Sequence, residues 1–306
     1  MNNKKLDNIF YVNSGSEATD NAIKIARKYT NKPNIIAMNK GFHGRTLGAL
    51  SVTSSNLNCK KGIYPTIPNI YFCNDFSKQS LNTIFEYISS PDDTAAILLE
   101  PIQGEGGIYP VNEAFLNYTE KMCQKHNIML ISDEVQCGAM RTGRWWEIDK
   151  YNISADILTF GKGIASGFPL AGVISNSDIM NSLSLGSLGG TYGGNAVCSA
   201  AASATIDILN NPIIQENVLT MGEYIKQRLD GEYLIKEIRQ HGLMIGIEFN
   251  DQHLSKYILD ELRKMNILVL TSGNNNQYIR LLPPLNIEKN DIDYFLNSFK
   301  EILSLY

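Results

Sequence analysis

Ile157-Leu158-Thr159-Phe160-Gly161-Lys162-Gly163 is a short apolar run that breaks off at a lysine set between two glycines. Four continuous apolar or small residues suit a strand covered on both faces, as in parallel sheets. Working outward, the same pattern recurs at residues 35–38, 70–72, 95–99, 128–132 and 171–175, each followed by a polar or Gly-rich turn. Residues 10–12 read as one more strand, which enters a helix at once. Amphipathic helical stretches lie between these runs. Residues 112–126 are one, with Phe115, Tyr118, Thr119, Met122 and Cys123 on a single face. The alternation predicts an α/β fold with a mainly parallel sheet.

From about Asn211 the pattern changes. Helical stretches at 212–229 and 253–265 flank short strands at 243–249, 267–270 and 278–282, and a last helix ends at Leu305. The chain therefore divides into a large α/β domain, residues 1–211, and a smaller α+β domain, residues 212–306.

Bulk properties narrow the function. The 306 residues are 43% hydrophobic and 19% charged, with a formal net charge of -4, and no Lys/Arg block that would suit nucleic acid or an anionic membrane. Lys60-Lys61 reads as a solvated turn. Five cysteines are scattered without a CxxC pair or a His at ligand spacing, so neither a disulfide framework nor a metal site is expected. The first eight residues lack the apolar core of a signal peptide, and no stretch approaches the roughly 20 apolar residues of a membrane helix. A cytoplasmic protein with small-molecule partners is the expectation.

In open α/β sheets ligands bind beyond the carboxyl ends of strands, and the chemistry-bearing residues fall there. Asn13-Ser14-Gly15-Ser16-Glu17-Ala18 joins the strand at 10–12 to a helix with Ala18, Ala22, Ile25, Ala26 and Tyr29 on one face. Ser14 and Glu17 have capping-box spacing. The stretch reads equally as a capped helix or as a phosphate cradle, in which Gly15 admits the anion to helix N-terminal amides. Asp133 closes the 128–132 run, and Lys162 lies at the end of the next. A lysine gains nothing from packing, but partly desolvated it becomes a nucleophile for a carbonyl. A lysine and a carboxylate on neighbouring strand ends are what pyridoxal 5'-phosphate needs: the lysine holds the aldehyde and the acid keeps the pyridine nitrogen protonated. Phe42, in Gly41-Phe42-His43-Gly44-Arg45, is placed to stack on a flat ring, and Arg45 to hold a carboxylate. Taken alone, His43 reads as a structural histidine, and Glu100 or Glu105 as a surface acid.

These motifs together resemble the class III, fold type I, pyridoxal-phosphate-dependent aminotransferases, among them the 4-aminobutyrate, ornithine and acetylornithine enzymes. The likeness runs from Phe10 to the last helix. It rests on residues 13–18, 42–46, 100–107, 133–138, 141–143, 160–170 and 189–195. The resemblance implies that Lys162 forms the Schiff base and moves the substrate proton, while Asp133 pairs with the pyridine nitrogen. It implies that Val135 and Phe42 sandwich the ring, that Gln136 bonds its phenolic oxygen, and that Gly15 and Ser16 take the phosphate. Thr191 matches a residue reaching the phosphate of the other subunit, which implies a homodimer. Arg45 and Arg280 match two carboxylate-binding arginines, and Glu105 an acid that masks Arg280 when an amine-bearing substrate is bound. Such a switch lets one pocket accept two substrates of different charge.

Three departures stand out. Met140 occupies a position where the family carries glycine, Ala196 one where it often carries proline, and the sequence begins without the segment that precedes Phe10 in relatives. The expected reaction is transfer of an amino group from an ω-amino donor to 2-oxoglutarate. Residues 160–173 and 188–195 look most like 4-aminobutyrate enzymes, and 133–138 equally like acetylornithine enzymes. An acetylornithine or ornithine aminotransferase is the alternative within the family. A non-catalytic remnant, shortened at its start, is the alternative of another class.

Overall fold

The computed structural model describes residues 6–251 and 253–306. Its first layer holds strands β1 (Asn8–Val12), β2 (Asn34–Met38), β3 (Ile70–Cys73), β4 (Thr94–Leu99), the short hairpin β5 (Ile102–Gln103) and β6 (Tyr109–Pro110), β7 (Met129–Asp133), β8 (Ile157–Phe160) and β9 (Ala171–Ser175). The helices among them are α1 (Gly15–Thr30), α2 (Leu47–Val52), α3 (Lys78–Tyr87), α4 (Glu113–His126), α5 (Ser177–Asn181) and α6 (Ala196–Leu209). The rest comprises α7 (Pro212–Leu229), β10 (Ile235–His241), β11 (Met244–Phe249), α8 (Leu254–Lys264), β12 (Leu270–Ser272), β13 (Tyr278–Leu281) and α9 (Lys289–Leu305).

Seven strands form one sheet in the order β1-β9-β8-β7-β4-β2-β3. The pairs β2/β3, β2/β4, β4/β7 and β7/β8 are parallel, and β9 alone runs against its neighbours β8 and β1. The sheet is mainly parallel, as the apolar runs predict. The pleat splits each run between two cores. Ile35 and Ala37 pack with α1, whereas Ile36 and Met38 pack with α3 and α4. A second, antiparallel sheet, β10-β11-β13-β12, carries α7, α8 and α9, and its core draws only on residues after 211.

Some local readings shift. In α4 Leu116 is buried, while Tyr118 and Met122 are only half-buried. Tyr29 points outward, 38% exposed, because the buried face of α1 turns instead through Thr19, Asn21 and Ile23. Glu17 closes the capping box one residue early: its carboxylate accepts from the Asn13 amide at 2.8 Å, while Ser14 Oγ accepts from Glu17 N at 3.3 Å. The strand expected at 267–270 forms at 270–272, where it pairs with β13. All five cysteines are free. Among the described residues no helix is long and apolar enough to cross a membrane.

Candidate active site

Asp133 ends β7 and is 3% exposed. Three donors fix its carboxylate. Oδ1 accepts from Val135 N at 3.1 Å and Thr159 Oγ1 at 3.0 Å, and Oδ2 lies 2.6 Å from His43 Nδ1. His43 comes from the loop after β2, where its own N–H donates to Thr53 Oγ1 at 2.9 Å. Burial on its own lowers the imidazole pKa, but the hydrogen bond and charge of Asp133, with Glu100 behind, raise it above the ordinary value. His43 is thus structural, as its type suggests, and the group that it positions is Asp133.

Glu100 is not a surface acid. It is 4% exposed after β4, where its oxygens accept from Phe42 N at 2.9 Å and Gly104 N at 3.2 Å. The carboxylate pins the Phe42 loop to the turn carrying Glu105. Desolvation pushes its pKa up to about 7.

Lys162 follows β8 with φ +47°, a left-handed backbone that lysine seldom adopts. Its side chain is exposed to an open cleft, yet protein atoms crowd the ammonium, and desolvation lowers its pKa against the opposing pull of Asp133 and Glu100. The cleft, about 730 Å³, is walled by Val135, Gln136 and Arg141 on one side and by Leu282 and Pro284 on the other. Arg141 links the two sides, donating to Leu243 O at 3.0 Å and Pro283 O at 2.6 Å.

At Gly15 a Cβ would stand 2.7 Å from Val135 Cγ1, so glycine lets the start of α1 pack closely on Val135, and Gly161 brings its backbone alongside Gly15 N. Ser16 Oγ accepts from Arg45 N at 3.1 Å. Arg280, 6% exposed on β13, binds Glu105 (Nη1 to Oε1, 2.6 Å) and approaches Gln136 Oε1 at 3.4 Å. Its Nε has no acceptor among the described residues. The structure thus gathers Lys162, Asp133, Gly15, Val135, Gln136, Glu105 and Arg280 around one sheet edge, with Phe42 half-buried behind. Arg45 and Thr191 are exposed, and neither side chain makes a hydrogen bond or ion pair among the described residues. Sequence reasoning missed the bond from His43 to Asp133, the burial of Glu100 and the bridging role of Arg141. For each the residue type was visible and its neighbour was not.

An open, mostly parallel sheet with a desolvated lysine and a buried, triply bonded aspartate at adjacent strand ends defines a fold type I, pyridoxal-phosphate-dependent enzyme. The family model for Aminotransferase class-III matches residues 1–303, and the chain belongs to that family. It is 37% identical to an acetylornithine aminotransferase of Methanocaldococcus jannaschii, with 98% of this chain and 75% of the relative covered. It is 36% identical to ornithine aminotransferase 1 of Staphylococcus saprophyticus, over 97% of this chain and 76% of the relative. Among solved structures it is similar to a transaminase from the marine bacterium Virgibacillus, with TM-score 0.91, 25% identity, and 98% and 75% of the two chains covered.

Proposed function

We propose that this chain moves an amino group between an ω-amino donor of the ornithine or acetylornithine kind and a dicarboxylic 2-oxo acid. The ion pair Arg280–Glu105 beside Lys162 carries this reading. A buried arginine that already holds a carboxylate suits a site that must bind a second substrate carboxylate in one half-reaction and neutralise itself in the other. The names of the relatives favour ornithine or acetylornithine over the 4-aminobutyrate reading that residues 160–173 suggest.

Pyridoxal phosphate, when bound, supplies the aldehyde and the electron-withdrawing ring. The residues present fit it: α1 begins at Gly15, whose amide nitrogen lies beside Gly161 and so near Lys162, a helix N-terminus suits a phosphate, and Asp133 is held with its carboxylate fixed. In this reading Asp133 keeps the ring nitrogen protonated, and His43 with Thr159 keeps Asp133 in place. Val135 and Phe42 flank the ring, Gln136 bonds its hydroxyl oxygen, and Gly15 and Ser16 bind the phosphate. Lys162, whose lowered pKa favours the neutral amine, takes the proton from the substrate carbon and returns it at the neighbouring atom. Arg280 orients the distal carboxylate, which brings the reacting carbon to Lys162. Arg45 and Thr191 are exposed, which suits residues completing a site across a homodimer. Separate cores support a division at 211/212.

A donor screen with 2-oxoglutarate, on the cofactor-loaded chain, tests the reading. Ornithine or acetylornithine should give the highest kcat/KM. A preference for 4-aminobutyrate, or a loaded chain without turnover, overturns it.

A further inference from the structure

Arg239, Gly246 and Arg280 stand in one rung of the second sheet, on β10, β11 and β13, opposed Cα to Cα. Opposed residues of antiparallel strands project to the same face, so two arginines flank a glycine gap. The turn of residues 104–108 lies in that gap. A Cβ on Gly246 would meet Ile108 Cγ1 at 2.9 Å and Gly107 O at 3.0 Å.

The two arginines grip this turn from opposite sides. Arg280 holds Glu105, and Arg239 Nε donates to Gly107 O at 2.8 Å. Arg239 is 6% exposed, with Nε and Nη1 bonded and Nη2 buried without an acceptor among the described residues. Its guanidinium lies 4.1 Å from the Tyr109 ring centroid and 4.8 Å from that of Tyr278, while Nη1 binds Glu248 at 2.8 Å and also Glu237. Gly107, at φ +117°, is wedged against Tyr278, and Gly273 N donates to Glu105 O at 2.8 Å. Ile108, β-branched, holds φ +60°, a conformation that persists only when its surroundings enforce it.

We infer that Arg239 is the positioning residue that holds the 104–108 turn so that Glu105 masks Arg280, and so tunes the choice between substrates with and without a second carboxylate. The inference rests on the charge-switch reading above. Arg239 does not touch the cleft; it acts through Gly107. A guanidinium suits the task because it lies against two rings set edge to face while its Nε–H donates to a carbonyl, which an ammonium cannot do in the same geometry. With the turn released, Glu105 competes less well for Arg280, and a free dicarboxylate gains.

The experiment measures binding of glutarate, an unreactive dicarboxylate, by calorimetry on the cofactor-loaded chain, with KM and kcat for each half-reaction alongside. Glu105→Ala should tighten glutarate about tenfold, the size of one charge-assisted contact. Arg239→Gln and Arg239→Lys should each recover several-fold of that gain and raise KM for the amine donor. Neither should alter glutarate binding further in the Glu105→Ala background, and hydrogen exchange at 104–108 should quicken in both. Arg239→Lys keeps the charge beside Glu237 and Glu248, which guards against a folding failure. If Glu105→Ala tightens glutarate while both Arg239 variants leave it unchanged, or if their effects persist without Glu105, the role of Arg239 is overturned alone. If Glu105→Ala changes nothing, the switch fails, and this inference with it.

Discussion

His43 Nδ1 and Asp133 Oδ2 stand 2.6 Å apart with both side chains shielded from water. The pair raises the histidine pKa, so it contributes stability below the unfolded value near 6.5 and loses it as pH rises through the folded value. His43→Gln should therefore cost about 1–3 kcal/mol in mildly acid buffer and progressively less in alkaline buffer. Denaturant titrations of both proteins across pH check this. A gap independent of pH would contradict a charged pair.

Lys162→Ala should lower transamination by about 10²–10⁴-fold, the range for losing a positioned proton-transfer group. Borohydride reduction of the cofactor-loaded wild type, followed by peptide mapping, should place the pyridoxyl group on Lys162. Finding it on another lysine would sink the assignment.

Arg280→Ala should weaken use of a dicarboxylic 2-oxo acid about ten- to a hundredfold, because a charge-assisted bond is worth about 1.5–3 kcal/mol. A monoamine donor should suffer far less. Half-reaction kinetics read the two separately, and equal losses would remove the switch.

Glu134, after β7, accepts from Glu147 N at 3.0 Å, Ile148 N at 2.8 Å and Cys137 Sγ at 3.0 Å, and burial pushes its pKa from 4.5 to about 7. Glu100 behaves alike. An acid whose folded pKa is raised keeps its proton longer in the fold, so stability falls as pH climbs from 4.5 to about 7. Glu134→Gln loses an acceptor and, being unable to titrate, this pH dependence as well, so its deficit against wild type should narrow over that window. Thermal melts at steps of pH test it, and a deficit that widens with pH is the contrary result.

Gly246→Ala should destabilise by about 1–3 kcal/mol, since the new methyl overlaps Ile108 and the carbonyl of Gly107. Chemical denaturation measures the loss. Full stability would show that the turn yields freely.

The central strands β2, β4, β7 and β8 were legible because both faces are covered, so each is a nearly continuous apolar run. β10, Ile235-Lys-Glu-Ile-Arg-Gln-His, was not: it is an edge strand of mixed polarity, and only Arg239 in it is buried. α6 is mostly small and apolar all round, yet only Cys198, Ala202, Thr205 and Leu209 are buried, so no polar face sets off the buried one. At the site, Lys162 and Asp133 were readable because their types are costly at strand ends without a purpose. Glu100 was misread because a Gly-rich turn suggests surface, whereas folding brings the amides of Phe42 and Gly104 onto its oxygens. Such long-range partners leave no mark on local spacing.

The left-handed backbone at Lys162 sets activity against durability. A non-glycine residue in that region costs about 1–2 kcal/mol, and asparagine tolerates it better. Compared without cofactor, Lys162→Asn should thus yield an inert protein that melts above its parent. Selection for heat resistance alone, without selection for turnover, would work against the lysine.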